Sequence, residues 1–169
     1  MNTSTIRMPS FKHLLPVFVI LLISLTAAGL GVDIIIDNDQ LGTSSTGSWS
    51  SSAATGFYGT DSLWGRNGAT YTWSFDSEPA GLYEVSMWWT EYTSRSNAAP
   101  VAVNHAMGTE NLTVDQSTDG GGWNLLGTGT YYFDTAGSVT LSAPGSYPTS
   151  YSADAVKFEQ AGGGTSIYI

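Results

Sequence analysis

The sequence predicts an all-β protein, an antiparallel β-sandwich of jelly-roll type with about eight strands. After residue 32, apolar and polar residues alternate repeatedly with a period of two, and no window shows the period of an amphipathic helix. Clusters of Gly, Pro, Ser and Asp separate these runs at fairly regular intervals. Many short strands between such turns favour a sandwich or jelly roll over a fold that contains helices.

The N-terminal segment belongs to a different class from the rest of the chain. Basic residues precede an apolar run over residues 14–32, which contains small residues around Ala28 and Gly29. This order predicts a secretory signal peptide over residues 1–29. The apolar run is also nearly long enough to stay as an uncleaved membrane anchor. Both interpretations place the remaining domain, residues 32–160, outside the cytoplasm.

The charge balance is strongly acidic. The chain carries a net charge of −9, and loss of Arg7 and Lys12 with the leader gives −11. Such a surface repels phosphate, so we expect no nucleic-acid partner, and membrane contact only through an uncleaved leader. The absence of cysteine excludes disulfides, thiolate metal sites and thiol nucleophiles.

The predicted strands follow one another along the chain. The first, over residues 32–37, is apolar on both faces and is expected to lie covered. Residues 38–68 are rich in Ser, Gly and Thr, and we expect long loops there with one or two short strands. Residues 161–169 form a Gly-rich tail. The other predicted strands lie in 70–75, 83–90, 100–104, 110–114, 123–133, 138–142 and 154–158.

Two adjacent tryptophans point to opposite faces of their strand, because side chains alternate along a strand. Trp89 shares parity with the apolar positions and is predicted inside. Trp88 shares parity with polar positions, so it is the best candidate for an exposed ring that stacks on a sugar; cover by a loop or by the second sheet is the alternative. The loop that follows adds further candidate ligand-binding residues: Glu91, Tyr92, Arg95 and Asn97.

Arg95 has two interpretations. A guanidinium suits bidentate recognition of a carboxylate, which favours an acidic polysaccharide as the ligand. The alternative is a salt bridge to an Asp or Glu that fixes the loop.

Asp154 is placed by parity with its carboxylate toward the core, where an unpaired charge is very costly. Loop amides, an arginine or a calcium ion would stabilise it. Calcium takes hard oxygen ligands, and Asp37 and Asp39 lie at the end of the first strand. A structural calcium site at Asp37, Asp39 and Asp154 is therefore one of three interpretations, beside loop amides and an arginine, and no cofactor is expected to be required.

The stretch DGGGW over residues 119–123 raises the choice between a ligand-holding loop and a hairpin. Glycines supply positive backbone angles at little steric cost, so we interpret the stretch as a turn. Trp123 shares parity with Leu125 and is predicted as a core anchor.

Enzymatic activity is not expected. His105 is the only histidine after the leader, and the chain has no GxSxG nucleophile elbow. We expect His105 to pack or to cap a turn. Glycoside hydrolysis needs a selected pair of carboxylates, and no sequence feature selects one.

Four ordered segments resemble the golvesin C-terminal-like domain, which is also attached to xanthan lyases: residues 34–61, 80–105, 114–128 and 152–158. The resemblance implies a jelly-roll sandwich similar to carbohydrate-binding modules, usually accessory to a catalytic domain. This chain departs at Val101, where the family tends to have an aromatic residue.

These observations predict a secreted, noncatalytic module that recognises an extracellular polysaccharide or a cell-surface glycan. The alternative is a structural or adhesive subunit of the cell surface or of an extracellular assembly. In that case the tail over residues 161–169 would add a strand to a neighbour's sheet, which is self-association.

Overall fold

The computed structural model describes residues 33–76 and 80–161 and confirms the all-β sandwich. Within these ranges no helix is long and apolar enough to cross a membrane. The predicted leader, residues 1–29, lies outside the described residues, as does the tail from residue 162. The strands are β1 (Asp33–Ile36), β2 (Thr43–Thr46), β3 (Trp49–Ser51), β4 (Leu63–Gly65), β5 (Ala69–Asp76), β6 (Gly81–Trp88), β7 (Ala99–His105), β8 (Gly108–Val114), β9 (Asn124–Phe133), β10 (Ala136–Ala143), β11 (Tyr151–Ala153) and β12 (Ala155–Gln160).

The described part of the chain has twelve strands where about eight were expected. The additional strands are short: β2, β3 and β4 lie in the segment predicted as mostly loop, and β11 directly precedes β12. A Ser- and Thr-rich segment carries little apolar alternation, so its strands depend on pairing with neighbours. β2 pairs with β5, and β3 pairs with β4.

The strands form two main sheets and one small sheet, and neighbouring strands within each sheet are antiparallel. The four-stranded sheet has the order β1-β12-β6-β9, and the five-stranded sheet has the order β2-β5-β10-β7-β8. The small sheet has the order β11-β4-β3. β1 is an edge strand in which only Ile36 is buried, so this strand is covered only in part and not on both faces as expected.

The core lies between the two main sheets. The predicted alternation is confirmed in β5 and β6, where Trp73 and Tyr83 are fully buried. Across the sheets, the ring of Phe75 in β5 packs against the ring of Phe158 in β12, with 4.2 Å between the centroids. His105 accepts a hydrogen bond from the backbone of Met107 on Nδ1, so it caps the β7–β8 turn as expected.

The prediction that Trp123 anchors the core was wrong. Leu126 is buried, whereas Leu125 is 50 % exposed, and Trp123 is half-buried on the outer side. The pairing of β6 with β9 is irregular, because Glu84 faces Thr130 but Ser86 faces Leu125. The extra residues reverse the alternation of β9 between Leu126 and Tyr131. At the beginning of β9 the buried positions are therefore those of Leu126, and Trp123, which shares its parity with the exposed Leu125, lies outside.

Candidate functional site

The loop over residues 89–98 carries most of the predicted site residues, and the backbone attaches it to the small sheet. Ser96 N–H donates to the Ser150 carbonyl at 2.9 Å, and Ser150 N–H donates to the Ser94 carbonyl at 2.8 Å. On its other side, Gln116 N–H donates to the Ser96 carbonyl at 2.9 Å. The loop is therefore fixed beside the start of β11 through an isolated bridge between Arg95 and Ser150.

Arg95 is buried, with 7 % of its surface exposed, and its guanidinium bonds neutral oxygens. Nη1 donates to Ser150 Oγ at 2.8 Å and Nη2 donates to Ser52 Oγ at 3.0 Å. Nε donates to the Thr90 carbonyl at 3.3 Å, and Nη2 also approaches Thr90 Oγ1. Burial lowers the pKa of Arg95 to about 10, and the nearby charge of Arg66 acts in the same direction. The group is still a cation at neutral pH.

The alternative of a loop-fixing salt bridge does not describe Arg95. Within residues 33–76 and 80–161, the ion pair in the structure joins Lys157 to Glu159. Arg95 orders the loop through hydroxyl and carbonyl oxygens, and these leave its positive charge without a neutralising partner in the described part of the chain.

Arg66 directly follows β4, lines the same end of the molecule and was not among the ligand-binding residues predicted from the sequence. Its guanidinium lies over the Trp64 ring, 4.6 Å from the centroid, and 5.6 Å from the centroid of Tyr147. Its Nε is buried and has no hydrogen-bond partner among the described residues. A signal did exist in the sequence, because Trp64 and Arg66 are two apart and so share a strand face.

Three hollows lie side by side at this end of the molecule and share wall residues. The middle hollow, of about 310 Å³, is lined by Ser52, Ala53, Ala54, Trp64, Arg66, Tyr92, Ser94, Arg95 and Ser150. A second hollow, of about 390 Å³, shares Ala53, Ala54 and Tyr92 with it and extends to Glu91 and Gly120. A third, of about 300 Å³, shares Trp64 and Arg66 and extends to Gly47. We call the three adjoining hollows together the three-hollow groove.

The structure brings Tyr92, Arg95 and Glu91 together at the groove but not all the predicted residues. Tyr92 is 57 % exposed, between the middle and the second hollow. Asn97 is exposed and does not line the groove. Trp88 is half-buried, and its Nε1 donates to the Gly56 carbonyl at 2.8 Å.

Trp88 belongs to an aromatic cluster on the outer face of the four-stranded sheet. Its ring centroid lies 5.7 Å from that of Tyr58 and 5.4 Å from that of Trp123. Lys157 Nζ lies 5.5 Å from the centroid of Trp123. The residues around Tyr58 therefore cover Trp88 in part, and its contact with the groove is indirect, through the carbonyl of Gly56.

The Gly-rich turn forms part of the wall of the second hollow. Gly121 N–H donates to the Trp89 carbonyl at 2.9 Å, and Gly120 N–H donates to Glu91 Oε2 at 3.2 Å. A Cβ on Gly120 would lie 2.5 Å from the backbone nitrogen of Glu91. Glycine is needed here because the turn packs directly on the backbone of the site loop.

Asp154 is fully buried, as its parity predicts, and its carboxylate accepts a hydrogen bond from Tyr58 N–H at 3.2 Å. Burial raises its pKa from 3.8 to about 8; this backbone bond opposes the shift, and the charges of Asp37 and Asp61 add to it. Burial also raises the pKa of Asp37. A loop amide is thus one partner that the sequence analysis expected.

The predicted calcium ligands are only partly assembled. Asp37 and Asp154 lie near each other, and the buried Oδ1 of Asn38 has no hydrogen-bond partner among the described residues. Asp39 is exposed. Over residues 33–76 and 80–161, no group of three or more acidic, His or Cys side chains is placed to hold a metal ion. Calcium binding therefore stays a prediction.

The model of the golvesin C-terminal domain family matches residues 34–160. The chain belongs to this family. The match spans the two main sheets, the small sheet and the site loop, so the sequence-based resemblance is confirmed for the whole golvesin domain described here.

One relative is a xanthan lyase from Bacillus sp. (strain GL1), which is 39 % identical over 137 residues. The alignment covers 76 % of this chain and 15 % of the relative. The structure of a Paenibacillus xanthan lyase is similar over 76 % of this chain and 13 % of that one, with a TM-score of 0.69 and 33 % identity. This golvesin domain therefore corresponds to a small part of those enzymes.

A more distant likeness concerns the fold alone. The CBM35 module of Cellvibrio japonicus Abf62 superposes with a TM-score of 0.53 at 15 % identity and covers 75 % of this chain and 92 % of that one. The golvesin domain thus has the same sandwich architecture as an entire CBM35 module.

Proposed function

We propose that this golvesin domain is a secreted, noncatalytic module that binds an extracellular polysaccharide along the three-hollow groove. The observation that carries the proposal is the groove itself, in which three hollows of about 300 to 390 Å³ share walls. A row of adjoining hollows suits successive units of a polymer better than one small molecule. The ring of Tyr92 supplies an exposed aromatic surface between two of them.

The lining of the groove favours binding over chemistry. Its walls are mainly small and hydroxyl-bearing residues, which present hydrogen-bonding groups to sugar hydroxyls. Glu91 is the one acid among the described residues that line it. Hydrolysis of a glycosidic bond needs two carboxylates at a set spacing. Asp154 and Asp37 are buried elsewhere, so they do not supply the second one.

The relatives support a carbohydrate ligand. The chain is similar to about one seventh of a xanthan lyase, which is the share expected of an accessory domain attached to a larger enzyme. Xanthan is therefore the first polysaccharide to test. The fold likeness to a CBM35 module agrees with a carbohydrate-binding role, and the leader pattern agrees with an extracellular location.

The test is affinity electrophoresis of the full chain in gels that contain xanthan. We expect Tyr92→Ala to abolish the retardation, or to weaken it at least tenfold, and to leave the melting temperature unchanged because the side chain is exposed. Tyr132→Ala is the matched control, since Tyr132 is also exposed and lies on β9 away from the groove. Equal behaviour of the two variants, or no retardation of the wild type, contradicts the proposal.

In this proposal Trp88 does not contact the sugar and instead positions the groove wall. Its indole N–H holds the Gly56 carbonyl, and Gly56 lines the second hollow. Trp88→Ala is expected to weaken binding less than Tyr92→Ala and to lower the melting temperature. Were Trp88 itself the sugar platform, its loss would abolish binding without a change in stability.

A further inference from the structure

Two arginines converge on the middle hollow of an otherwise acidic protein. The chain has a net charge of −9, and after the predicted leader its basic residues are Arg66, Arg95 and Lys157. Two of these three line one hollow of about 310 Å³, and no Asp or Glu is among its lining residues. Positive charge is thus concentrated at one point of the groove.

The positive charge of this hollow has no counter-charge in the described part of the chain. Arg95 is held by Ser52, Thr90 and Ser150, which are neutral acceptors. Arg66 stacks on Trp64 and has a buried Nε without a partner among the described residues. A buried cation is costly when no anion compensates it, and like charges at close range add to that cost. An anion that enters the hollow removes both penalties.

We propose that the middle hollow is an anion subsite in which Arg66 and Arg95 together bind the carboxylate of an acidic sugar. This inference rests on the proposed polysaccharide-binding function and adds to it the chemical class of the ligand and the role of Arg66. A guanidinium fork matches the two oxygens of a carboxylate. The buried Nε of Arg66 is out of reach of a ligand, but its terminal nitrogens are not among the buried unpartnered atoms and are the donors open to an anion, whereas the donors of Arg95 are mostly occupied by hydrogen bonds to Ser52, Thr90 and Ser150.

The two arginines have different tasks in this subsite. Arg95 is fixed by its four hydrogen bonds and supplies a positive potential at the floor. Arg66 is oriented by the ring of Trp64 and supplies the directional hydrogen bonds. Because Arg66 also lies on the wall shared with the third hollow, it places the acidic unit in the middle of a longer chain.

The experiment compares xanthan with the same polymer after its carboxylates have been reduced to alcohols, using the full chain and affinity electrophoresis. We expect the wild type to bind the carboxylated polymer at least tenfold more tightly than the reduced one. Arg66→Gln is expected to lose at least tenfold on the carboxylated polymer and less than twofold on the reduced one. Arg66→Lys, which keeps the charge but not the fork, is expected to fall between Arg66→Gln and the wild type.

Lys157→Gln is the matched control because it removes one positive charge outside the groove, beside Trp123. It should bind both polymers as the wild type does. Equal binding of the two polymers by the wild type overturns the anion subsite and leaves the proposed function intact. If Arg66→Gln weakens the binding of both polymers equally, the anion subsite is also overturned, since Arg66 would then contribute only to the shape of the groove. Absence of binding to either polymer refutes the proposed function and the inference together.

Discussion

Replacement of Asp154 by Asn is expected to remove a pH dependence of stability that a single buried carboxyl creates. Burial raises the pKa of Asp154 from 3.8 to about 8. The folded protein therefore keeps this proton between about pH 4 and 8, whereas the unfolded chain releases it. The stabilisation is fully present below pH 4 and is lost as the pH rises toward 8.

The size of the effect follows from that shift in pKa. One group that releases one proton changes the free energy of unfolding by at most about 1.4 kcal/mol per pH unit. Between pH 5 and 8 the wild type should lose about 3.6 kcal/mol through Asp154, slightly less than three full pH units because the folded group is already half ionised at pH 8. For a domain of this size that corresponds to roughly 10 °C in melting temperature. Asn keeps an oxygen that accepts the Tyr58 N–H bond.

The assay is thermal unfolding of the wild type and Asp154→Asn at several values between pH 5 and 8, in chelator. The gap between the two melting temperatures should change by roughly 10 °C across this range, with the variant relatively more stable at pH 8. Asp134→Asn is the control, because Asp134 is an exposed acid whose carboxylate also accepts a backbone N–H. Parallel melting curves for wild type and Asp154→Asn at every pH would refute the reasoning.

Two further predictions concern calcium and the glycine turn. If calcium binds at Asp37 and Asp154, added calcium should raise the melting temperature of the wild type relative to chelator. The melting temperature of Asp154→Asn should be the same in both conditions. A wild type that melts at the same temperature with calcium and with chelator would contradict the metal site. Gly120→Ala should destabilise the domain by about 1 to 3 kcal/mol and weaken polysaccharide binding, because its Cβ meets the backbone of Glu91. The control is Gly122→Ala, because no heavy atom lies within 4 Å of the Cβ added there. Chemical unfolding that shows the two variants to be equally stable would contradict the argument.

Strand parity predicted the core well wherever the pairing is regular. In β5 and β6 the period of two identified the buried rings, and it also placed the carboxylate of Asp154 inside. It failed in β9, because an irregular pairing with β6 reverses the alternation and turns Trp123 outward. A local pattern carries no information about such an irregularity, since both Leu125 and Leu126 are apolar.

The site was predicted in part. The loop with Tyr92 and Arg95 was identified from its composition, and both residues line the groove. Trp88 was singled out because it is on the polar face of its strand, but the residues around Tyr58 cover it in part. Arg66 was missed because its position opposite Arg95 depends on β4 pairing with β11, more than eighty residues away in the chain.

The sequence alone determined the class of fold, the family and the burial of Asp154, because these follow from short-range alternation, turn residues and ordered motifs. The tertiary structure decided which residues share a groove, because Arg66, Tyr92 and Arg95 reach it from different elements. It also decided which rings are covered, because cover depends on where distant loops fold back. Long-range strand pairing creates both results, and no local sequence pattern encodes it.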